Sequence, residues 1–173
     1  KGVRFALNND PNGTKYCLKI DIRHFYPSID HPTLKLLLRR RLKDARLLWL
    51  LDEIIDSVPS GVPIGNYLSQ YFANVYLAYF DHWLKEQKHV KYYWRYADDM
   101  VILAPSKEEL HALLIDMRKY LHDNLKLKVK HNYQVFPVDA RGIDFLGFVF
   151  YHSHTQMRKS IKQKLCRRVA SLN

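Results

Sequence analysis

Two adjacent carboxylates, Asp98 and Asp99, stand between the aromatic run Tyr92-Tyr93-Trp94 and the apolar run Met100-Val101-Ile102-Leu103. Both runs are built from residue types that favour strands, and few residues separate them, so the segment predicts a hairpin with two acids at its tip. Asp is a common turn residue, and a plain polar turn would explain the pair. Adjacent unpaired carboxylates repel, however, and a divalent cation is the usual remedy.

A third acid lies far upstream. From Lys15 to Ile22 the apolar residues alternate with Lys until Asp21 ends the pattern, which predicts a strand with an acid at its end. If the two strands pair, three carboxylates converge at a sheet edge. Mg²⁺ keeps some of its waters and takes a few protein carboxylates plus substrate phosphates, so such an edge suits two-metal phosphoryl transfer. Positioning and charge neutralisation are then the protein's share of the chemistry.

Three segments in this order resemble the reverse transcriptases, the RNA-directed DNA polymerases. Asp21-Ile22-Arg23-His24-Phe25-Tyr26 is similar to the family's first metal-binding motif, and Tyr96-Ala97-Asp98-Asp99 to its signature motif. Gly61-Val62-Pro63-Ile64-Gly65-Asn66-Tyr67-Leu68-Ser69-Gln70 resembles the segment between them. The resemblance implies that Asp21, Asp98 and Asp99 hold two Mg²⁺ ions, with Mn²⁺ as the alternative, and that the Ile22 carbonyl is a further ligand. It also implies that Tyr26 stands under the sugar of an incoming deoxynucleotide, with Phe25, Ile64, Gly65, Tyr96 and Lys130 around the nucleotide. A core aromatic is the competing reading of Tyr26. Ser69, Gln70, Leu146 and Gly147 would face the nucleic acid. In the family a Lys just before the last hairpin helps protonate the leaving pyrophosphate, and both Lys128 and Lys130 stand near that place.

The middle segment carries a finer resemblance. Many group II intron enzymes have Gln where this chain has Ile64 and Pro where it has Gln70, whereas Ile64 to Gln70 looks like the version in the diversity-generating retroelements and related bacterial groups. There the replaced Gln is associated with low copying fidelity, which ties Ile64 to error-prone synthesis. That branch also implies an accessory protein beside the RNA template, the DNA or RNA primer and the deoxynucleoside triphosphates. In physical terms, Gly61 and Gly65 permit close backbone approach and Asn66 can cap a helix whose N-terminus favours phosphate, although a loop before a buried helix reads the same way.

The rest of the chain predicts an α+β fold. Leu68, Phe72, Val75, Tyr76 and Tyr79 mark an amphipathic helix from Asn66 to about Lys88, and Leu110, Leu113, Leu114, Met117 and Leu121 mark a second from Lys107 to about Asn124. Set between strands at Asp21, Tyr93, Val101 and Leu127, they give β-α-β-β-α-β, the ferredoxin-like arrangement of a polymerase palm. Helices at Pro32 to Leu42 and Ala45 to Ser57 would form the base of the fingers. Gly142 to Phe150 resembles the hairpin that grips the primer end, and it also reads as an ordinary closing hairpin. A basic helix from about Ser160 to Leu172 would lead towards a thumb. On this reading residues 1–173 are one fragment, a palm with partial fingers, lacking most of the fingertips and the thumb, and weak or inactive by itself.

Charge agrees: 28 Lys plus Arg against 17 Asp plus Glu give a net charge of +11, which suits a partner made of phosphates. An anionic membrane surface would suit it too, but no apolar run approaches a membrane span and no signal peptide begins the chain, so a cytoplasmic protein without a membrane partner is expected. Cys17 and Cys166 are too few for a disulfide framework or zinc site. His152 and His154 lack nearby acids or thiols in the sequence, which argues against a metal site there. Three activities fit these residues: templated polymerisation, a polymerase-derived untemplated or phage-defence activity, and a non-catalytic RNA-binding module on the same fold. Three acids facing phosphates argue against the last.

Overall fold

The computed structural model describes residues 2–63 and 65–171. The chain begins with helix α1 (Gly2–Asn9), which has no counterpart in the sequence reading, and continues into strand β1 (Tyr16–Ile20). Helices α2 (His31–Arg41), α3 (Ala45–Asp56) and α4 (Tyr67–His82) follow, and the last continues into one π-helical turn over Trp83–Gln87. Strands β2 (Tyr92–Tyr96) and β3 (Asp99–Ala104) form the expected hairpin; α5 (Lys107–Leu125) and β4 (Gln134–Pro137) complete the unit. The four strands form one antiparallel sheet in the order β2-β3-β1-β4. With α4 and α5 on one face, this is the β-α-β-β-α-β fold of a palm, and α2 and α3 are inserted after β1.

Alternation along the strands decides what each face meets. Leu18, Ile20, Met100 and Ile102 join Phe72, Tyr76, Leu77 and Phe80 of α4 and Leu110, Leu114, Met117 and Leu121 of α5 in the larger core. Cys17, Val101 and Leu103 face the other way, into a smaller core with Val3 and Leu7 of α1. That second layer is closed by α6 (Val138–Arg141) and a three-stranded sheet of β5 (Ile143–Phe145), β6 (Phe148–Phe150) and β7 (Thr155–Met157). Helix α7 (Lys159–Ala170) ends the described chain and buries none of its side chains; Leu172, assigned to it from sequence, lies outside the described residues.

The helix starts are set by capping side chains. Asp30, Asp44 and Asn66 accept from Thr33, Leu47 and Leu68 backbone N–H groups at 3.0, 2.8 and 2.9 Å, and Ser106 caps α5. Tyr76, fully buried, ties three elements: its hydroxyl donates to the Leu125 carbonyl at 2.7 Å and accepts from the Asp30 N–H at 3.2 Å.

The expected strand at Leu127 is absent, and the reason is the end of α5. Lys126 adopts φ 54° and Leu127 N–H reaches back to the Leu121 carbonyl at 2.9 Å, the closing bond of a Schellman-type cap. Leu127 is therefore spent on ending the helix. The chain then touches the first strand's extension only by an isolated bridge, Ile22 to Val129, and β4 starts at Gln134. Among the described residues no helix is long and apolar enough to cross a membrane.

Candidate active site

The acids gather where β1 and β3 end. Their ladder runs from Tyr16 opposite Ala104 to Ile20 opposite Met100, and one further step sets Asp21 opposite Asp99. Alternation puts both on the face shared with Cys17, Lys19 and Val101, away from α4 and α5. Asp98 occupies the two-residue turn between Tyr96 and Asp99, beside Ala97 at φ 51°. It lies within hydrogen-bonding reach of Asp21.

This arrangement is electrostatically uncomfortable. Burial, followed by the hydrogen bond and charge of Asp21, pushes the Asp98 carboxyl up to about 6. Burial also raises Asp99, with Asp21 adding to it and Lys19 opposing. Asp21 Oδ1 and Asp99 Oδ1 are buried without any hydrogen-bond partner. Two lysines supply partial compensation: Lys130 Nζ meets Asp21 Oδ2 at 2.8 Å and Lys19 Nζ meets Asp99 Oδ2 at 3.4 Å. Among the described residues no three His, Cys, Asp or Glu side chains form a ready cage for one ion. The orphaned oxygens and the raised acids still fit a divalent cation, which would supply the charge that two lysines meet only in part.

The geometry separates the two candidate lysines. Lys130 reaches the acids, and its N–H also bonds the Asp21 carbonyl at 2.9 Å, whereas Lys128 lines a different cleft. Asp21 in turn holds the Lys130 ammonium above the usual lysine range.

Next to the acids, Phe25, Tyr26, Gly65, Asn66, Ser69, Gln70, Tyr96 and Ala97 line a cleft of about 440 Å³. Six residues expected at nucleotide or nucleic acid thus share one wall system. Their roles are not equivalent. Tyr26 is partly open and its phenol is raised by burial, then by Asp98, whereas Phe25 is buried beneath it with ring centroids 5.5 Å apart. Gln70 is exposed, but Ser69 is buried and donates its hydroxyl to the Pro63 carbonyl. Ile64 lies outside the described residues.

Gly61 packs against the backbone of Tyr26 and Pro27, two residues of the cleft. At φ 72° a Cβ there would lie 2.3 Å from the Tyr26 carbonyl oxygen, so only glycine lets the loop bond Val62 N–H to that oxygen at 3.2 Å. Gly65, at φ 89°, has nothing within 4 Å of its Cβ position.

Leu146 and Gly147 form the tip of the β5–β6 hairpin with φ 51° and 86°. The hairpin is tied to the acids through Lys19, whose ammonium also donates to the Asp144 carbonyl. Asp144 is itself held by Arg158, at 2.8 Å from Nε.

Sequence reasoning missed two supports of the site. In the sequence Lys19 is only part of a strand alternation, although its position two residues before Asp21 puts it on the same face. Arg95 and Asp81 carried no sequence signal as a pair. Arg95 Nε bonds Asp81 Oδ1 at 2.9 Å, Tyr93 donates to the same oxygen at 2.6 Å, and Arg95 Nη1 reaches the Ala97 carbonyl at 3.0 Å and Asn74 Oδ1 at 3.1 Å. The acid-bearing turn is thereby clasped to α4. One assumption is corrected as well: His152 does have an acid beside it, with Nδ1 2.8 Å from Asp139 Oδ2 and Nε2 3.0 Å from the Thr14 hydroxyl.

A ferredoxin-like sheet with helices on one face and an acidic edge beside a cleft is a palm-like fold. The chain belongs to the reverse transcriptase (RNA-dependent DNA polymerase) family, whose model matches residues 4–150. Among curated proteins it is similar to protein YkfC of Escherichia coli (strain K12), at 25% identity over 77% of this chain and 46% of that protein. The fold is shared with the apo telomerase of Candida tropicalis truncated from its C-terminal domain (TM-score 0.67, 14% identity, 90% of this chain and 38% of that one). It is also shared with the telomerase of Candida albicans in complex with a TWJ fragment of telomeric RNA (TM-score 0.67, 14% identity, 89% and 33%). The chain spans less than half the length of each of these proteins.

Proposed function

We propose that this chain is the palm, with part of the fingers, of an RNA-directed DNA polymerase that extends a primer 3′-hydroxyl along an RNA template. The observation that carries the reading is the convergence of Asp21, Asp98 and Asp99 at one sheet edge, with two orphaned carboxylate oxygens and a raised Asp98. Family membership and the RNA-bound state of one structural relative support it.

In the proposed reaction Asp21, Asp98 and Asp99, with the Ile22 carbonyl, would hold two divalent ions, Mg²⁺ by preference or Mn²⁺. Such ions lower the pKa of a bound hydroxyl and neutralise charge on transferring and leaving phosphates. The chain's own residues orient the reactants. Tyr26 forms the floor under the nucleotide sugar, where a 2′-hydroxyl would meet its ring, and Tyr96 and Gly65 complete the cleft around it. Lys130, held on Asp21, is the better candidate of the two lysines to give a proton to leaving pyrophosphate. Gln70 faces the template from the cleft rim, and Leu146 and Gly147 support the primer from the hairpin tip. The finer assignment, to an error-prone bacterial retroelement enzyme with an accessory protein, is supported by the segment Ile64 to Gln70 alone.

Primer extension by the full-length protein on a defined RNA template, with deoxynucleotides and Mg²⁺, tests this. Template-matched DNA that disappears in Asp98→Asn while RNA binding persists is the expected result. Untemplated product would assign the activity to a polymerase-derived enzyme of a different kind, and tight RNA binding without any DNA would leave a binding module. Misincorporation concentrated opposite adenine would support the diversity-generating branch.

A further inference from the structure

Outside the acidic edge, several basic side chains surround a cleft of about 330 Å³ at the end of α5. Arg23, Arg118, His122, Lys128 and His131 line it, over a floor of Leu127 and Val129. Five nitrogen-bearing side chains thus come from three separate stretches of sequence, and no carboxylate is among the lining residues described. Arg23, Arg118, Lys128 and His131 have no acidic side-chain partner among the described residues; His122 alone has one, with Nδ1 2.9 Å from Asp123 Oδ1.

The cleft is built in two respects. The Arg118 guanidinium lies over the Tyr133 ring, 4.6 Å from its centroid, which limits its orientations without using its hydrogen-bond donors. Arg23 and Lys128 are locked side by side by a backbone bond, Arg23 N–H to the Lys128 carbonyl at 2.8 Å, next to the Ile22–Val129 bridge. Two cations carried by paired backbone positions favour an anion beside them. An apolar floor excludes some water and strengthens that attraction.

We propose that this cleft is an anion site that takes a compact polyphosphate, either inorganic pyrophosphate or the phosphate tail of a nucleotide. A concave pocket of this volume suits a short, highly charged group better than an extended strand, whose phosphates are spaced along a groove. The site is distinct from the three carboxylates but adjoins them through the isolated Ile22–Val129 bridge, since the next residue pair along it is Asp21 and Lys130. In the polymerase reading, on which only this last clause rests, the cleft is where leaving pyrophosphate pauses on its way out.

The test is titration calorimetry of pyrophosphate into the 173-residue chain at low salt without divalent ions, so that no catalysis and no metal-bound nucleotide contributes. Arg118→Gln and Arg23→Gln should each weaken binding about threefold to fivefold, and the double variant about tenfold or more, for ion pairs of this exposure. Circular dichroism melts of each variant separate lost binding from lost fold. A short single-stranded RNA competing for the same cations at equal charge would reassign the site to nucleic-acid backbone. Pyrophosphate binding that ignores both arginine variants, or no binding at millimolar concentration, overturns the proposal. Either outcome is independent of primer extension, so failure here and failure of the polymerase reading are told apart.

Discussion

Replacing Asp98 by Asn should make the metal-free protein more stable, in a pH-dependent way. An Asp in the unfolded chain titrates near 3.8, whereas Asp98 in the fold titrates at about 6 because burial and Asp21 disfavour its charge. Between those values the folded state keeps a proton that the unfolded state has released, so stability is lost as pH rises from about 4 to about 6 and stays lost above. A shift of about two units corresponds to roughly 3 kcal/mol, and partial exposure reduces this to about 1.5 kcal/mol. Asparagine cannot ionise and escapes the penalty. For a chain of this length the melting temperature of Asp98→Asn should exceed that of the parent by about 3–6 °C near pH 7.5 in chelator, and match it near pH 3.5. Mg²⁺ should raise the parent and narrow the gap, because a ligand that binds only the folded state stabilises it. Thermal melts by circular dichroism at the two pH values, with and without Mg²⁺, provide the measurement. A variant that melts at or below the parent near pH 7.5, or a gap that persists in acid, would refute the reasoning.

Three further outcomes follow from packing. Gly61→Ala adds a methyl against the Tyr26 carbonyl and Pro27 backbone at a positive φ, and should cost about 2–4 kcal/mol in urea unfolding or prevent soluble expression. Arg95→Gln leaves Asp81 without its guanidinium partner and should cost about 2–4 kcal/mol, most of it recovered in the double variant with Asp81→Asn; additive losses would show that the pair is not coupled. Tyr76→Phe deletes the bond to the buried Leu125 carbonyl and should cost about 1–2 kcal/mol, with hydrogen exchange accelerated at the end of α5 rather than across the sheet.

The parts legible in the sequence are those whose signal is local. The β2–β3 hairpin shows in its two strand-forming runs, α4 and α5 show in their apolar periodicity, and Asn66 announces its own cap. The fourth strand, expected at Leu127, starts instead at Gln134. A helix cap is decided by the conformation of one residue, Lys126, and alternation does not report it. The order of strands, and hence the meeting of Asp21 with Asp99, needed the family resemblance, since pairing across so long a separation leaves no local mark. The same holds for Arg95 with Asp81 and for Asp139 with His152. Each residue is an ordinary surface charge by pattern, and each acquires its role only from a partner brought by the fold.

Helix α4 is a single rigid member with work at both ends. Asn66 and Gln70, at its start, form part of the cleft wall, while Asn74 and Asp81, further along, hold Arg95 and through it the carbonyl of Ala97, the residue before Asp98. A lateral shift of the helix at the cleft is therefore delivered to the carboxylates as a displacement, with no flexible joint between. A substitution on the far end of α4 would therefore reach the acid-bearing turn through Arg95 and the Ala97 carbonyl.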